Sequence, residues 1–187
     1  MSQLTVFHDN DTATPVFESR DATAIAAELK KVNVLFERWP AEHALAPDAT
    51  ADEIGEAYAD EIQRLQDQFG YATWDVIGIH PAHPDKAAMR AKFLDEHTHS
   101  EDEVRFFVDG AGLFTLHIAD HVYATLCEAN DLISVPAGTR HWFDMGDAPA
   151  FKVIRLFNNQ EGWVAKFTGT DIASNFRPSG EAMLGQA

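Results

Sequence analysis

The sequence predicts a mainly β fold, a small barrel or sandwich of short strands with N-terminal helices packed on it. The chain has 187 residues, which suits one domain with a full hydrophobic core. Helical periodicity is confined to the first 70 residues, and closely spaced β-type runs follow Gly70. We therefore expect a single domain, residues 1–187, with a helical N-terminal part (1–70), a β-barrel (71–168) and an irregular tail (169–187).

The N-terminal part begins with a short run, residues 4–7, that we interpret as an edge strand. Residues 21–36 and 52–69 each carry apolar side chains at spacings of three and four, which predicts two helices. Gly70 is a suitable stop for the second helix, and residues 39–50, rich in Pro, Ala and Asp, form a connector. The apolar residues that set the period are Ile25, Leu29, Val32 and Phe36, then Ile54, Tyr58, Ile62 and Leu65.

The second part of the chain consists of short β-type runs separated by Gly, Asp, Asn and Pro. Eight or so short strands with tight turns predict a β-sandwich or a small barrel. The runs cover residues 74–79, 103–108, 113–118, 121–127, 132–135, 141–144, 151–157 and 163–167.

Charge and cysteine content limit the classes of partner and compartment. The formal net charge is −16, and such an acidic surface repels phosphate backbones and anionic lipid, so we expect neither nucleic-acid nor membrane partners. Cys127 is the only cysteine, so no intrachain disulfide can form, and we expect it to be packed in the core. No long apolar run or secretory signal is visible. We expect a cytoplasmic monomer.

The stretch DEHTHSEDEVRFFVD, residues 95–109, carries the first candidate metal ligands. His97 and His99 are two apart, so on an extended segment both imidazoles face the same way. Glu103 follows four residues later, and a straight strand would place it about 13 Å from His99, at roughly 3.3 Å per residue. Ligands of one metal lie within about 2.0–2.2 Å of it. The chain must therefore turn at residues 100–102.

A further ligand comes from the segment VPAGTRHW, residues 135–142. Pro136 and Gly138 predict a turn that leads into His141 on a distant strand. Three neutral imidazoles and one carboxylate suit a mid-series divalent metal such as Fe, Ni, Mn or Co. Six-coordinate metal would keep two adjacent positions open for a chelating substrate.

The remaining histidines have simpler interpretations. We expect surface or loop positions for His8, His43, His117 and His121. His80 and His83, in the string HPAHP, either form a second metal site or belong to a loop marked by prolines.

Two segments resemble the paired motifs of the cupin superfamily: HTHSEDE followed after six residues by Gly110, and PAGTRH. The longer string DEHTHSEDEVRFFVDGAGLF resembles the acireductone dioxygenase branch of that superfamily. The resemblance covers about residues 74–168. It implies a cupin double-stranded β-helix, which is a jelly-roll-like barrel.

The resemblance also implies an activity. The substrates would be acireductone (1,2-dihydroxy-3-keto-5-methylthiopentene) and dioxygen, and the pathway methionine salvage. One Fe(II) or Ni(II) ion per monomer would be the cofactor. The iron form would give formate and 4-methylthio-2-oxobutanoate. The nickel form would give formate, carbon monoxide and 3-methylthiopropanoate.

Residue roles are implied position by position. Arg105 would help form and hold the substrate dianion, Glu96 would act in metal incorporation, and Asp102 would relay local conformational change. The positions that match the family's metal ligands are His97, His99, Glu103 and His141.

The strand pattern bears on Arg105 and on the pocket walls. Glu103, Arg105 and Phe107 share one face of a strand, so Arg105 should point into the same cavity as the ligand Glu103. Its permanent charge would lower the cost of deprotonating an enediol. Alternatively, Arg105 pairs with a nearby carboxylate as part of the scaffold. Phe107, Phe143 and Trp163 would be apolar walls for a methylthio tail, or simply core residues.

Two other functions remain open for such a barrel. A sugar-phosphate isomerase or a decarboxylase would need several basic residues at the mouth, where only Arg105, Arg140 and Arg155 qualify. A non-catalytic metal-binding cupin is the other alternative. Anaerobic mixing with acireductone, followed by oxygen, distinguishes all three.

Overall fold

Antiparallel strands make up most of the chain. The structure, a computed structural model, describes residues 1–39, 43, 45–46, 48–159 and 164–176. The strands are β1 (Gln3–His8), β2 (Pro15–Ser19), β3 (Leu35–Arg38), β4 (Thr73–Ile79), β5 (His97–Thr98), β6 (Glu103–Ile118), β7 (His121–Glu128), β8 (Asp131–Val135), β9 (Arg140–Asp144), β10 (Phe151–Phe157) and β11 (Lys166–Phe167). The helices are α1 (Ala22–Lys30), α2 (Ala51–Ala57), α3 (Ala59–Phe69), α4 (Lys86–Phe93) and α5 (Ile172–Asn175).

Strand β6 belongs to two sets of paired strands. Its second half pairs with β7 and β9 in the order β11-β5-β9-β6-β7-β1-β2. Its first half pairs with β8 and β10, which continue to β3 and β4. Gly110 lies at the change of partner with φ 73°, and a Cβ there would come within 1.8 Å of the Ala150 carbonyl oxygen. Only glycine fits this bend without strain.

The main hydrophobic cluster joins side chains from both strand sets. Phe107, Ile133 and Val153 come from the set around β10, and Phe114 and Phe143 from the set around β9. The inner faces of the two sets therefore meet in one core, as in a barrel. Helix α1 adds Ile25 and Leu29 to the same cluster, and its first turn is capped by the Asp21 side chain, which accepts from Ala24 N at 2.8 Å.

A second cluster lies on the opposite face of β6. Val104 and Phe106 pack there with residues of α2 and α3, whose apolar face consists of Ile54, Tyr58, Ile62 and Leu65. A capping box between Thr50 and Glu53 starts α2. Because Val104 and Phe106 face these helices while Phe107 faces the core, the predicted alternation along this strand is confirmed.

Several predicted elements were wrong in detail. The helix predicted over residues 21–36 ends at Lys30, and Phe36 lies in β3, paired with Ile133. The predicted helix 52–69 is two helices that meet at Tyr58, although Gly70 does cap the second with φ 79°. The strand at residues 4–7 is not an edge, because β1 lies between β2 and β7. Residues 1–70 therefore supply three strands as well as helices.

The β region also differs in places. The runs 103–108 and 113–118 are one strand, since the bend at Gly110 does not interrupt the pairing. Helix α4 was not predicted. The tail contains the short helix α5, and residues 177–187 lie outside the described residues. Across the described ranges, no helix is both long and apolar enough to span a membrane.

Candidate metal centre

Three strands bring the predicted ligands together. His97 on β5 is paired directly with His141 on β9, and His141 also pairs with Leu116 on β6. His99 follows β5. One imidazole nitrogen from each of the three histidines lies within 4.8 Å of the corresponding nitrogens of the other two. All three side chains are buried. Pairing of strands distant in sequence thus creates a cluster of nitrogen donors inside the barrel.

Glu103 completes the cluster from the first position of β6. Its Oε2 atom lies 2.8 Å from His141 Nε2 and 3.4 Å from His99 Nε2. The chain bends at Ser100 and Glu101, so the turn that the spacing of His99 and Glu103 requires is present.

Two hydrogen bonds connect this turn to the segment before His141. Gly138 N donates to His99 O at 2.8 Å, and Ala137 N donates to Asp102 Oδ1 at 2.9 Å. Tyr71 adds a contact of 3.5 Å between its hydroxyl and Asp102 Oδ2. Asp102 therefore links the turn between β5 and β6 to the turn between β8 and β9.

Backbone carbonyls set the tautomer of two imidazoles. His97 Nδ1 lies 2.7 Å from Asp95 O, and His141 Nδ1 lies 2.8 Å from Thr139 O. A carbonyl oxygen only accepts, so each Nδ1 must carry the proton and donate it. The lone pair of the neutral ring is then on Nε2, the atom that His141 presents to Glu103. Metal-binding histidines are oriented by the same kind of outer hydrogen bond.

The electrostatics favour the protonation states that metal ligands need. Burial and the neighbouring His141 lower the pKa of His97 to about 4. Burial also lowers the pKa of His99, although Glu103 opposes this. For Glu103 burial raises the pKa, but Arg105 and His141 outweigh it and hold the pKa well below its usual range. At neutral pH His97 and His99 are thus neutral and Glu103 is ionised.

The donor set fits a divalent metal ion. Glu103 Oε2 and His141 Nε2 are buried, face each other and have no hydrogen-bond partner among the described residues. Burying two acceptor atoms that face each other costs free energy of folding unless a cation lies between them. Three nitrogen donors and one carboxylate oxygen match the preferences of iron, nickel, manganese and cobalt.

Arg105 binds the other oxygen of the same carboxylate. Its Nε and Nη2 atoms lie 2.7 and 2.5 Å from Glu103 Oε1, and the guanidinium lies over the ring of Phe143, 4.7 Å from its centroid. The scaffold alternative for Arg105 is therefore partly correct, since it pairs with a carboxylate. Arg105 also lines a cavity next to His99, so its charge reaches the space beside the ligands.

This cavity has a volume of about 860 Å³ and mostly apolar walls. Strand β4, helix α4, strand β10 and residues 164–167 form them. Among the apolar lining residues are Ile77, Ile79, Met89, Phe93, Phe151 and Phe167. Two further cations line the cavity, Lys92 and Arg155. Arg155 is the cross-strand neighbour of Arg105 in the β6–β10 pair and is held by Asp75 through two hydrogen bonds.

The predicted pocket walls lie elsewhere. Phe107 and Phe143 are fully buried in the main core and are not among the lining residues, although Phe143 contacts Arg105. Trp163 lies outside the described residues. Sequence reasoning missed Met89 and Phe93 because α4 was not predicted, although their spacing of four residues was a usable signal.

His117 is buried, so the prediction of a surface position was wrong. Its Nδ1 atom lies 2.6 Å from Oε1 of Glu96, itself only 1% exposed. Burial raises the pKa of Glu96, but hydrogen bonds from Thr168, His117 and Thr170 outweigh this and keep it below the usual value. Glu96 is thus an ionised, buried carboxylate beside His97, with its oxygens engaged by other groups.

The remaining histidines are less closely organised. His8, Asp120 and His121 form a second group of donor atoms within 4.8 Å, but it is largely exposed. Across the part of the chain that the structure describes, neither such group includes His80 or His83.

Comparisons with known proteins agree with this geometry. Residues 3–165 match the model of the ARD/ARD′ family. A protein from Pseudomonas aeruginosa named acireductone dioxygenase is 61% identical over 176 residues, covering 94% of this chain and 97% of its own. One of the same name from Synechococcus sp. is 57% identical, covering 94% and 98%. The solved structure of an acireductone dioxygenase from Bacillus anthracis, with a cadmium ion in its active centre, has a TM-score of 0.77 at 30% identity, covering 89% and 98%. Together with the strands of this chain, this likeness confirms the predicted mainly β fold.

Proposed function

The chain belongs to the ARD/ARD′ family of acireductone dioxygenases, and from this premise we propose that it cleaves acireductone, 1,2-dihydroxy-3-keto-5-methylthiopentene, with dioxygen. The observation that supports this most directly is the buried cluster of three histidines and one glutamate beside a cavity that contains Arg105. Family membership identifies the chain as an enzyme, so the non-catalytic alternative is wrong.

We propose that one iron(II) or nickel(II) ion per monomer is held by His97, His99, Glu103 and His141. The buried facing atoms of Glu103 and His141 support this, as does the cadmium ion in the active centre of the Bacillus anthracis relative. When bound, such an ion supplies Lewis acidity toward the enediol oxygens of the substrate.

Arg105 stabilises the substrate as an anion. Its guanidinium is fixed by Glu103 and by the ring of Phe143, so it does not need to reorganise when negative charge develops. A permanent positive charge in a buried site lowers the cost of deprotonating an enediol. Arg155 is a second positive charge on the same wall, partly balanced by Asp75.

The apolar walls bind the rest of the substrate. Met89 and Phe93 on α4, with Phe151 and Phe167, offer hydrocarbon and ring surface to a methylthio tail and exclude water from the enediol. Excluding water strengthens the attraction between Arg105 and the substrate anion, because the local dielectric constant falls.

We further propose that the metal determines the products. Because the protein ligands are the same for either ion, any difference must arise from the ion itself. The iron(II) protein should give formate and 4-methylthio-2-oxobutanoate and so serve methionine salvage. The nickel(II) protein should give formate, carbon monoxide and 3-methylthiopropanoate.

The test is to strip one preparation of metal, reload it with iron(II) or nickel(II), and supply acireductone and oxygen. Carbon monoxide and the organic acids are then measured, with the His141→Ala protein carried through the same steps as a control. We expect carbon monoxide from the nickel sample alone. Identical products from both samples would remove the metal-dependent choice of products while leaving a dioxygenase.

The surroundings of the enzyme are part of the proposal. A net charge of −16 and a single buried cysteine support a cytoplasmic enzyme that works on a small molecule and dioxygen without nucleic-acid or membrane partners. We propose that it is a monomer, and light scattering of the metal-loaded protein at micromolar concentration tests this.

A further inference from the structure

We propose that Glu96 is a positioning residue that fastens the outer wall of the cavity, residues 164–170, to the strand that carries His97. The family resemblance implies a different role for Glu96, in metal incorporation. The effect on turnover described below rests on the proposed function, whereas the fastening itself rests only on contacts within the chain.

The contacts of Glu96 account for both of its carboxylate oxygens. Oε2 accepts hydrogen bonds from the hydroxyls of Thr168, at 2.6 Å, and Thr170, at 2.8 Å. Oε1 lies 2.6 Å from His117 Nδ1 on β6, which donates to it. A backbone hydrogen bond adds to these contacts, since Thr168 N donates to Glu96 O at 3.1 Å. Hydrogen bonds to a buried carboxylate are stronger than those between neutral groups.

Among the described residues, the other attachments of this wall are few, and one of them is a hydrogen bond between the His99 side chain and the Val164 backbone. Strand β11 has two residues and, among the described strands, pairs only with β5. The apolar side chains of the wall are not buried: Val164 is 65% exposed and Phe167 57% exposed. Hydrophobic burial therefore contributes little to holding residues 164–167. The next segment with a buried side chain is α5, where Ala173 packs against Val122 and Trp142.

The wall matters because it borders the candidate metal centre. Val164, Ala165 and Phe167 line the same cavity as His99 and Arg105. The ring of Phe167 lies 5.8 Å from that of His97, measured between centroids. If the wall loosens, the substrate loses contact surface while Glu103, Arg105 and His141, which lie on β6 and β9, stay in place. We therefore expect KM to rise several-fold and kcat to change less.

The experiment removes the hydroxyls and leaves Glu96 and the metal ligands intact. The Thr168→Val/Thr170→Val protein keeps the shape of both side chains but cannot donate to Glu96. It is loaded with nickel(II) and compared with the parent by amide hydrogen exchange, metal analysis and steady-state kinetics. We expect exchange in residues 164–170 to accelerate on the order of tenfold or more, because two hydrogen bonds to a charged group are lost. Bound metal should stay at the parent level, and KM should rise.

Two controls make the result decisive. Thr168→Ser/Thr170→Ser retains both hydroxyls and should restore the parent exchange rate and KM. Thr73→Val makes the same chemical change at an exposed position on β4 and should alter neither. Unchanged exchange in the double valine protein would overturn the proposal, and lost metal with unchanged exchange would favour the role in metal incorporation. If even the parent fails to consume acireductone, the proposed function falls, while the exchange data still decide whether Glu96 fastens the wall.

Discussion

Three of the four proposed metal ligands are each held by a second group that fixes the charge or the proton of the side chain. Carbonyl oxygens of Asp95 and Thr139 orient His97 and His141, and Arg105 occupies one oxygen of Glu103. That His97, His99 and Glu103 lie close together could be predicted, because an HxH pair and a glutamate four residues later form a local pattern. The Glu96–His117 contact could not be predicted, since the two residues are 21 positions apart and meet only through the pairing of β5, β9 and β6.

Replacing a proposed ligand should release the metal. His141→Ala removes a buried donor that no neighbour can replace, so we expect bound metal to fall at least tenfold by elemental analysis. His80→Ala is the matched control, because His80 belongs to neither group of close donor atoms found among the described residues, and it should retain the parent metal content. Full metal content in the His141→Ala protein would contradict the assignment.

Replacing Arg105 should separate metal binding from turnover. Arg105→Met keeps the volume but removes the charge aimed at the substrate anion, so we expect metal to be retained while kcat falls about 100-fold or more. Arg105→Lys keeps the charge but not the planar guanidinium, so its kcat should lie between that of the parent and that of Arg105→Met. Turnover of the Met variant within a few-fold of the parent would assign Arg105 to the scaffold.

The lowered pKa of His97 predicts a pH dependence of the metal-free protein. The pKa is about 4 in the folded state and about 6.5 when unfolded, so as pH falls the unfolded chain takes up the proton first. The contribution of His97 to the free energy of unfolding is complete above pH 6.5 and is lost as pH falls to about 4. The loss amounts to up to about 3 kcal/mol.

Urea unfolding of the apo-protein at several pH values measures this. The parent should lose more unfolding free energy between pH 7 and 4.5 than His97→Asn does. Equal losses in the two proteins would show that His97 titrates normally.

At the scale of elements, strand β6 carries the site. It supplies Glu103 and Arg105 at one end and pairs with β9, the strand of His141, at the other. Short β-type runs separated by Gly, Asp, Asn and Pro predicted most of the strands. The end of α1 was missed because Phe36 continues the helical spacing from Ile25 while being buried by strand pairing instead. Helix α4 has no fully buried residue, so its periodicity was weak, and it lines the cavity through Met89, Lys92 and Phe93.

The bend in β6 predicts the effect of a single methyl group. Gly110→Ala would place a Cβ 1.8 Å from a backbone oxygen at φ 73°, so both the steric clash and the positive φ oppose it. We expect a loss of more than about 3 kcal/mol, against about 1–2 kcal/mol for Gly70→Ala, which has φ 79° but no neighbour within 4 Å. Denaturant unfolding measures both losses, and equal losses would rule out the close approach.

At the scale of the molecule, the proposed ligands join β5, β6 and β9 inside the barrel. The short β-type runs after Gly70 predicted the fold class, and the turn residues between them predicted most strands. The order of strands could not be predicted, because it depends on which distant segments bury each other's apolar faces. Thus β1, taken as an edge from its place in the sequence, lies inside the sheet.

This arrangement predicts that metal contributes to global stability. An ion that binds only the folded state stabilises it by about 4 kcal/mol at a thousandfold excess over Kd. Removing metal with a chelator should lower Tm on the order of 10 °C in a chain of this size. The His141→Ala protein should show no such response, and an equal response in both would place the stabilising metal elsewhere.

The most direct test of the central claim is the consumption of acireductone itself. Metal-loaded protein is mixed anaerobically with acireductone, oxygen is then admitted, and the loss of substrate and of oxygen is followed together. We expect equal molar loss of both at a rate far above that of buffer, and a rate close to buffer for the His141→Ala protein. If neither the iron nor the nickel protein consumed acireductone faster than buffer, the proposed activity would be wrong.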